Sequence, residues 1–123
     1  MSGRRWWPPA AWAAAILILT SIPNPDLGRI GEILPPGADK LVHAAMYAVL
    51  GWLWWRASRA ASWQWRAAGR ALLAILAFAA LDEWHQRFIP GRSADVLDWA
   101  ADGVGAAAGL TAGMTNQRRE RVS

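Results

Sequence analysis

PPAAWAAAILILT, residues Pro8–Thr20, is the stretch whose reading decides the fold. It sits within twenty residues, between Arg5 and Asp26, that carry no charge. Proline at the start presets a helical φ, and the alanines, isoleucines and leucines that follow continue a helix long enough to cross hydrocarbon. A secretory leader is the competing reading, with Arg4 and Arg5 as its basic region, but SIPNPD (Ser21–Asp26) offers no A-x-A-like cleavage site. The segment is therefore expected to be retained as a membrane-spanning helix over about 8–23.

Working outward, Leu41–Trp55 is a second uncharged run of fifteen residues between Lys40 and Arg56, about 22 Å of helix at 1.5 Å per residue. Lys40 and Arg56 can snorkel to opposite interfaces, where Trp54 and Trp55 would sit in an aromatic belt. A third run, Ala71–Leu81, is shorter, and Arg70, Asp82, Glu83 and His85 border it. The fourth, from about Ala94 to Met114, carries Asp95, Asp98 and Asp102 in its first half. The expected fold is all-α: one domain over 1–123, a four-helix transmembrane bundle with helices near 8–23, 40–56, 67–86 and 94–115.

Composition agrees with that class. Apolar side chains make up 54% of the 123 residues and eleven glycines add to them, against about 45–50% for both together in soluble domains. No period-two alternation occurs, which excludes an all-β protein. The absence of cysteine excludes a disulfide scaffold, a thiolate zinc site and a cysteine nucleophile. The net charge of +4 and pI near 11.0 would suit nucleic acid if the arginines formed one face, but they are split among the termini and one connection. No nucleic-acid partner is expected.

The placement of charge instead fits a membrane. Four crossings put the N-terminus, the second connection and the C-terminus together, with Arg4, Arg5, Arg56, Arg59, Arg66, Arg70, Arg118, Arg119 and Arg121 against Glu120. The opposite side holds Arg29, Lys40, Arg87 and Arg92 against Asp26, Glu32, Asp39, Asp82, Glu83, Asp95, Asp98 and Asp102. Nine basic residues against four places both termini in the cytoplasm, since cytoplasmic loops retain lysine and arginine. The expected location is the bacterial cytoplasmic (inner) membrane, multi-pass, with the lipid bilayer as a partner. The arginine-rich segment Arg56–Arg70 is read as a topology anchor at the surface in preference to an anionic-lipid site.

Polar residues recur at helical spacing near one end. Lys40, His43 and Tyr47 share a face of the second helix, Asp82 and Gln86 share one on the third beside Glu83, and Asp95, Asp98 and Asp102 share one on the fourth. Charges at membrane depth cost several kcal/mol unless paired or hydrated, so such a convergence marks a pathway, a site or a register-fixing network. Three chemistries are open to it. One is recognition of an anionic headgroup by Lys40, Arg87 and Arg92, with His43 and Tyr47 as further donors. Another is a divalent cation on Asp82, Glu83, Asp95 and Asp98. The third is acid–base work by a carboxylate paired with His43 or His85. No nucleophile is evident and no catalytic residue is assigned. Gly105-x3-Gly109-x3-Gly113 reads as a close-packing seam.

DKLVHAAMYAVLG (Asp39–Gly51) and LDEWHQRFIPGRSADVLDWAADGVGAAAG (Leu81–Gly109) together resemble the VanZ-like family. The first block matches at Asp39, Lys40, His43, Tyr47 and Leu50. The second matches at Asp82, Glu83, Gln86, Arg92, Asp95, Asp98 and Gly105, and departs at Asp102, where the pattern usually has asparagine. The resemblance implies a small bacterial integral membrane protein of several helices. Its family is named for an accessory component of glycopeptide-antibiotic resistance, which makes envelope-antibiotic resistance a candidate context, and it implies no settled reaction. The expected role is a polar pocket facing outward that binds an anionic lipid headgroup or cell-envelope precursor. The rivals are an enzyme acting on a phospho- or diphospho-lipid and a structural or assembly protein. The candidate ligand-binding residues are Lys40, His43, Tyr47, Asp82, Glu83, Gln86, Arg92, Asp95, Asp98 and Asp102.

Overall fold

The computed structural model describes residues 2–21, 38–58, 65–89 and 96–122. Within them the chain is all-α, with four helices and no strand: α1 (Ser2–Thr20), α2 (Ala38–Ser58), α3 (Trp65–Gln86) and α4 (Val96–Val122). Alanine, leucine and other good helix formers fill each element. The α1 helix begins upstream of the proline pair and runs through Pro8 and Pro9. Proline keeps a helical φ, but Pro8 and Pro9 stand about two turns into the helix, so the carbonyls of residues 4 and 5 lose their i+4 donors there. At its other end α3 tightens, with Arg87, Phe88 and Ile89 N–H groups each donating three residues back, to Trp84, His85 and Gln86.

Contacts fix an up-down-up-down topology. The indole of Trp12 donates to the Met46 carbonyl at 2.8 Å, and the Trp6 and Trp54 rings meet edge to face at 5.4 Å, so α1 and α2 are antiparallel. Lys40 meets Asp98, and a helix length away Trp55 Nε1 donates to Gln117 at 2.9 Å, so α2 and α4 run parallel. Trp99 Nε1 donates to the Leu76 carbonyl at 3.0 Å, joining α4 to α3. The ends of α1 and α3 and the starts of α2 and α4 therefore gather at one pole.

The α2–α4 seam is the closest in the bundle, and glycine makes it so. A Cβ on Gly105 would run into the Ala44 carbonyl, one on Gly109 into the Ala48 carbonyl, and one on Gly113 into the Trp55 ring. The facing residue on α2, Gly51, would place its Cβ 2.5 Å from the Ala106 oxygen. This is the small-residue packing expected from the Gly-x3-Gly spacing. The apolar core is correspondingly small in its side chains: Ala68, Ala71, Ala79 and Ala106 fill it beside Ile16, Tyr47, Leu50, Trp55, Ile75 and Leu110.

No described helix is long and apolar enough to cross a membrane. For α3 and α4 the reason lies in which residues interrupt them. Asp82 and Glu83 stand in the last turns of α3, and Asp98 and Asp102 in the first half of α4, where alanine and glycine make up most of the remainder. Those four carboxylate residues are all buried, while Ile18, Leu41, Leu73, Leu81, Val96, Leu97 and Val104 are each more than 60% exposed. Carboxylates face in and many large aliphatic groups face out, while Ile16, Leu50, Ile75 and Leu110 fill the core.

Candidate functional site

The four helices deliver polar side chains to the pole where α1 and α3 end. Seven buried polar or charged residues lie among the described ones: Thr20, His43, Asp82, Glu83, Gln86, Asp98 and Asp102. The helical period explains the grouping, since Lys40, His43 and Tyr47 on α2 face Asp98 and Asp102 on α4, whose own spacing is four residues.

Lys40 Nζ lies 2.6 Å from Asp98 Oδ1, with the lysine side chain 31% exposed and the aspartate side chain 12%. One turn deeper, His43 Nδ1 is 2.9 Å from Asp102 Oδ1, while its Nε2 lies 3.8 Å from Asp98 Oδ2. His43 therefore stands between two carboxylates, the deeper of which is fully buried. On the facing side Thr20 Oγ1 donates to Asp82 Oδ1 at 2.7 Å. Gln86 Nε2 reaches Asp82 Oδ2 and Glu83 Oε1, each at 3.4 Å, long for such bonds. Ligand atoms of His43, Glu83 and Asp102, from three different helices, all lie within 4.8 Å of one another.

Two polar atoms remain unsatisfied. Tyr47 Oη and Asp102 Oδ2 are buried with no hydrogen-bond partner among the described residues. The Tyr47 side chain is fully buried. Its ring packs on Phe78 at 6.2 Å. Phe78 in turn lines an apolar crevice of about 250 Å³ between α1, α2 and α3, with Ala13, Leu50, Trp54 and Ile75. Polar cluster and crevice thus adjoin through one tyrosine.

Eight of the ten candidate residues are described, and all eight belong to this pole. Arg92 and Asp95 lie outside the described residues. Arg87 and His85 are exposed on the end of α3. Of the three described carboxylates that sequence reading grouped around a cation, Asp82, Glu83 and Asp98, Glu83 joins the set within ligand distance, in company with His43 and Asp102. Thr20 was missed. Its signal was available, as the one hydroxyl in the uncharged run Trp6–Thr20, placed where α1 reaches the polar pole.

The profile of the VanZ/LLP1 family matches residues 6–115. The chain belongs to this family. The match spans nearly all of the four helices, so the polar pole and the glycine seam both fall inside it. No curated protein and no solved structure matches the chain.

Proposed function

We propose that this VanZ/LLP1 chain is a multi-pass protein of the bacterial cytoplasmic membrane, with both termini cytoplasmic. On this reading its polar pole opens to the extracytoplasmic side and binds the headgroup of an anionic lipid or lipid-linked envelope precursor. The observation that carries the reading is the inverted distribution of side chains: buried Asp82, Asp102, Gln86 and Thr20 inside, exposed Ile18, Leu73, Leu81 and Val104 outside. In water that arrangement exposes apolar surface and buries charge at a cost on both counts. In a bilayer the first cost falls, since lipid covers the aliphatic face, and the carboxylates stay inside the protein beside their partners and away from the hydrocarbon.

Hydropathy taken along one helix adds inward and outward faces together, which is why α3 and α4 score low while their outer faces are apolar. Their lengths of 22 and 27 residues correspond to about 33 and 40 Å, against about 30 Å of hydrocarbon. Tryptophans stand toward both poles, Trp6, Trp52 and Trp54 at one and Trp84 and Trp99 at the other, as interfacial belts require. Arg56 lies over the Trp52 ring at 5.5 Å.

Lys40, partly exposed above the buried groups, supplies a donor to a phosphate, with Arg92 the further cation that sequence assigns. The crevice beyond Tyr47 is apolar and suits an acyl or polyprenyl chain. Native mass spectrometry of protein purified with its lipids tests this: a phospho- or diphospho-lipid is expected to be retained, and retention is expected to fall in Lys40→Ala and Arg92→Ala. Retention unchanged by both substitutions refutes the headgroup reading.

The buried pair of His43 and Asp102, at 2.9 Å, favours a second reading, acid–base chemistry on such a lipid. Turnover by the purified protein that is lost in Asp82→Asn or Glu83→Gln distinguishes it from binding alone. If instead polar substitutions reduce function only in proportion to stability, the network is a structural device of the bundle.

A further inference from the structure

The geometry points to a binding site for one divalent transition-metal ion, of the zinc or manganese type, formed by His43, Glu83 and Asp102. The site adds an ion to the polar pole and does not depend on the headgroup reading.

Three observations carry it. First, a ring nitrogen of His43 and carboxylate oxygens of Glu83 and Asp102 all lie within 4.8 Å of one another, so that small side-chain shifts would bring them to the roughly 3.3–3.6 Å between tetrahedral donors at about 2.0–2.2 Å from one metal. The three residues come from α2, α3 and α4, and all are buried. Second, Asp102 presents a buried oxygen, Oδ2, with no partner among the described residues, on a residue with no exposed surface. Burial without a partner costs about 1–3 kcal/mol, more for a charged group, and a cation removes that cost. Third, the Tyr47 hydroxyl, one turn along α2 from His43, is likewise buried and without a partner among the described residues, a second polar atom that a bound ion's water could satisfy.

The surroundings supply the support that metal sites use. His43 Nδ1 faces Asp102, while Nε2 is turned toward Asp98 at 3.8 Å. With the ion on the Nδ1 side, Nε2 is left on the side of Asp98, which Lys40 holds at 2.6 Å and which lies 3.8 Å away, just beyond hydrogen-bond distance. A carboxylate behind a ligating histidine fixes its tautomer and strengthens the ligand. One imidazole with two carboxylates suits zinc or manganese better than the all-oxygen shells of magnesium and calcium. Three protein ligands leave a position open, and a phosphate oxygen in that position would be met by positive charge at the heart of an acidic cluster.

The test uses metal alone. Detergent-purified protein, stripped with chelator, is titrated calorimetrically with Zn²⁺ and with Mn²⁺. One ion per chain is expected, with affinity reduced on the order of 100-fold in His43→Gln, Asp102→Asn and Glu83→Gln, the scale on which losses around metal sites are felt. The chain has two histidines, and His85→Gln, at an exposed position, is expected to bind as the parent does. Should the variants unfold, pulsed electron paramagnetic resonance of the Mn²⁺-loaded parent decides the matter through coupling to a single histidine nitrogen. No saturable binding, binding indifferent to His43→Gln and Asp102→Asn, or a Mn²⁺ spectrum without nitrogen coupling overturns the proposal. Lipid retention measured on the metal-free protein separates this outcome from failure of the headgroup reading.

Discussion

Replacing Gly51 with alanine tests the closest packing in the bundle. The added methyl would lie 2.5 Å from the Ala106 carbonyl oxygen, about 0.9 Å short of the 3.4 Å at which ordinary contact begins, and 3.2 Å from the Leu110 nitrogen. Both obstacles are backbone, so no rotamer change relieves them, and α2 and α4 must part. Overpacking of this kind costs about 1–3 kcal/mol. The separation also loosens the seam at Gly105 and Gly109, which places the expected cost at the upper end, about 3 kcal/mol. Alanine returns about 1 kcal/mol of helix propensity, leaving a net loss near 2 kcal/mol, or a factor of about 30 in the folding equilibrium at 1.4 kcal/mol per decade. Gly69→Ala is the matched control. A Cβ there meets nothing within 4 Å, so only the propensity gain remains, and the variant is expected to be more stable by about 0.5–1 kcal/mol. Equilibrium unfolding of the two variants in mixed micelles should move in opposite directions. Equal shifts, or a Gly51→Ala protein as stable as its parent, would refute the account of the seam.

Other outcomes follow from single contacts. Thr20→Val keeps the side-chain shape but removes the hydroxyl donor to Asp82. A loss of about 1–3 kcal/mol is expected, measured by the same unfolding assay, and Thr20→Ser should restore most of it. Trp12→Phe removes the 2.8 Å bond to the Met46 carbonyl that ties α1 to α2, with an expected cost of about 0.5–1.5 kcal/mol for the hydrogen bond. Faster amide exchange confined to α1 would localise that effect. Lys40→Met leaves Asp98 without its 2.6 Å partner. Since breaking a partly buried pair uncovers a charge, the variant should be less stable than Lys40→Met combined with Asp98→Asn, as a double-mutant cycle would read out.

Much of this architecture is written in residue spacing. The helical period alone sets Lys40, His43 and Tyr47 on one face of α2 and Asp98 and Asp102 on one face of α4. Glycine at 105, 109 and 113 marks the face that approaches another helix. Spacing cannot give the rotation of one helix against another. For that reason spacing groups Asp82, Glu83, Asp95 and Asp98 as one carboxylate set, whereas the described set within ligand distance joins Glu83 to His43 and Asp102. Thr20 escaped for a related reason: a lone hydroxyl at the end of an apolar segment gains meaning only when Asp82 is beside it. The start of α1 also could not be read, because a proline pair near a helix N-terminus is compatible with a helix that begins at it or before it.

The central claim is that the aliphatic faces of α3 and α4 meet lipid while their carboxylates face inward. The chain contains no cysteine, so single spin labels can be attached without background at Leu73→Cys and Val104→Cys, whose native side chains are 70% and 68% exposed. Collision with oxygen, which concentrates in hydrocarbon, is compared with collision with a water-soluble nickel chelate in reconstituted vesicles. Both labels are predicted to favour oxygen strongly over nickel. Labels at either position that collide with nickel as freely as a label on a water-exposed helix would contradict the account.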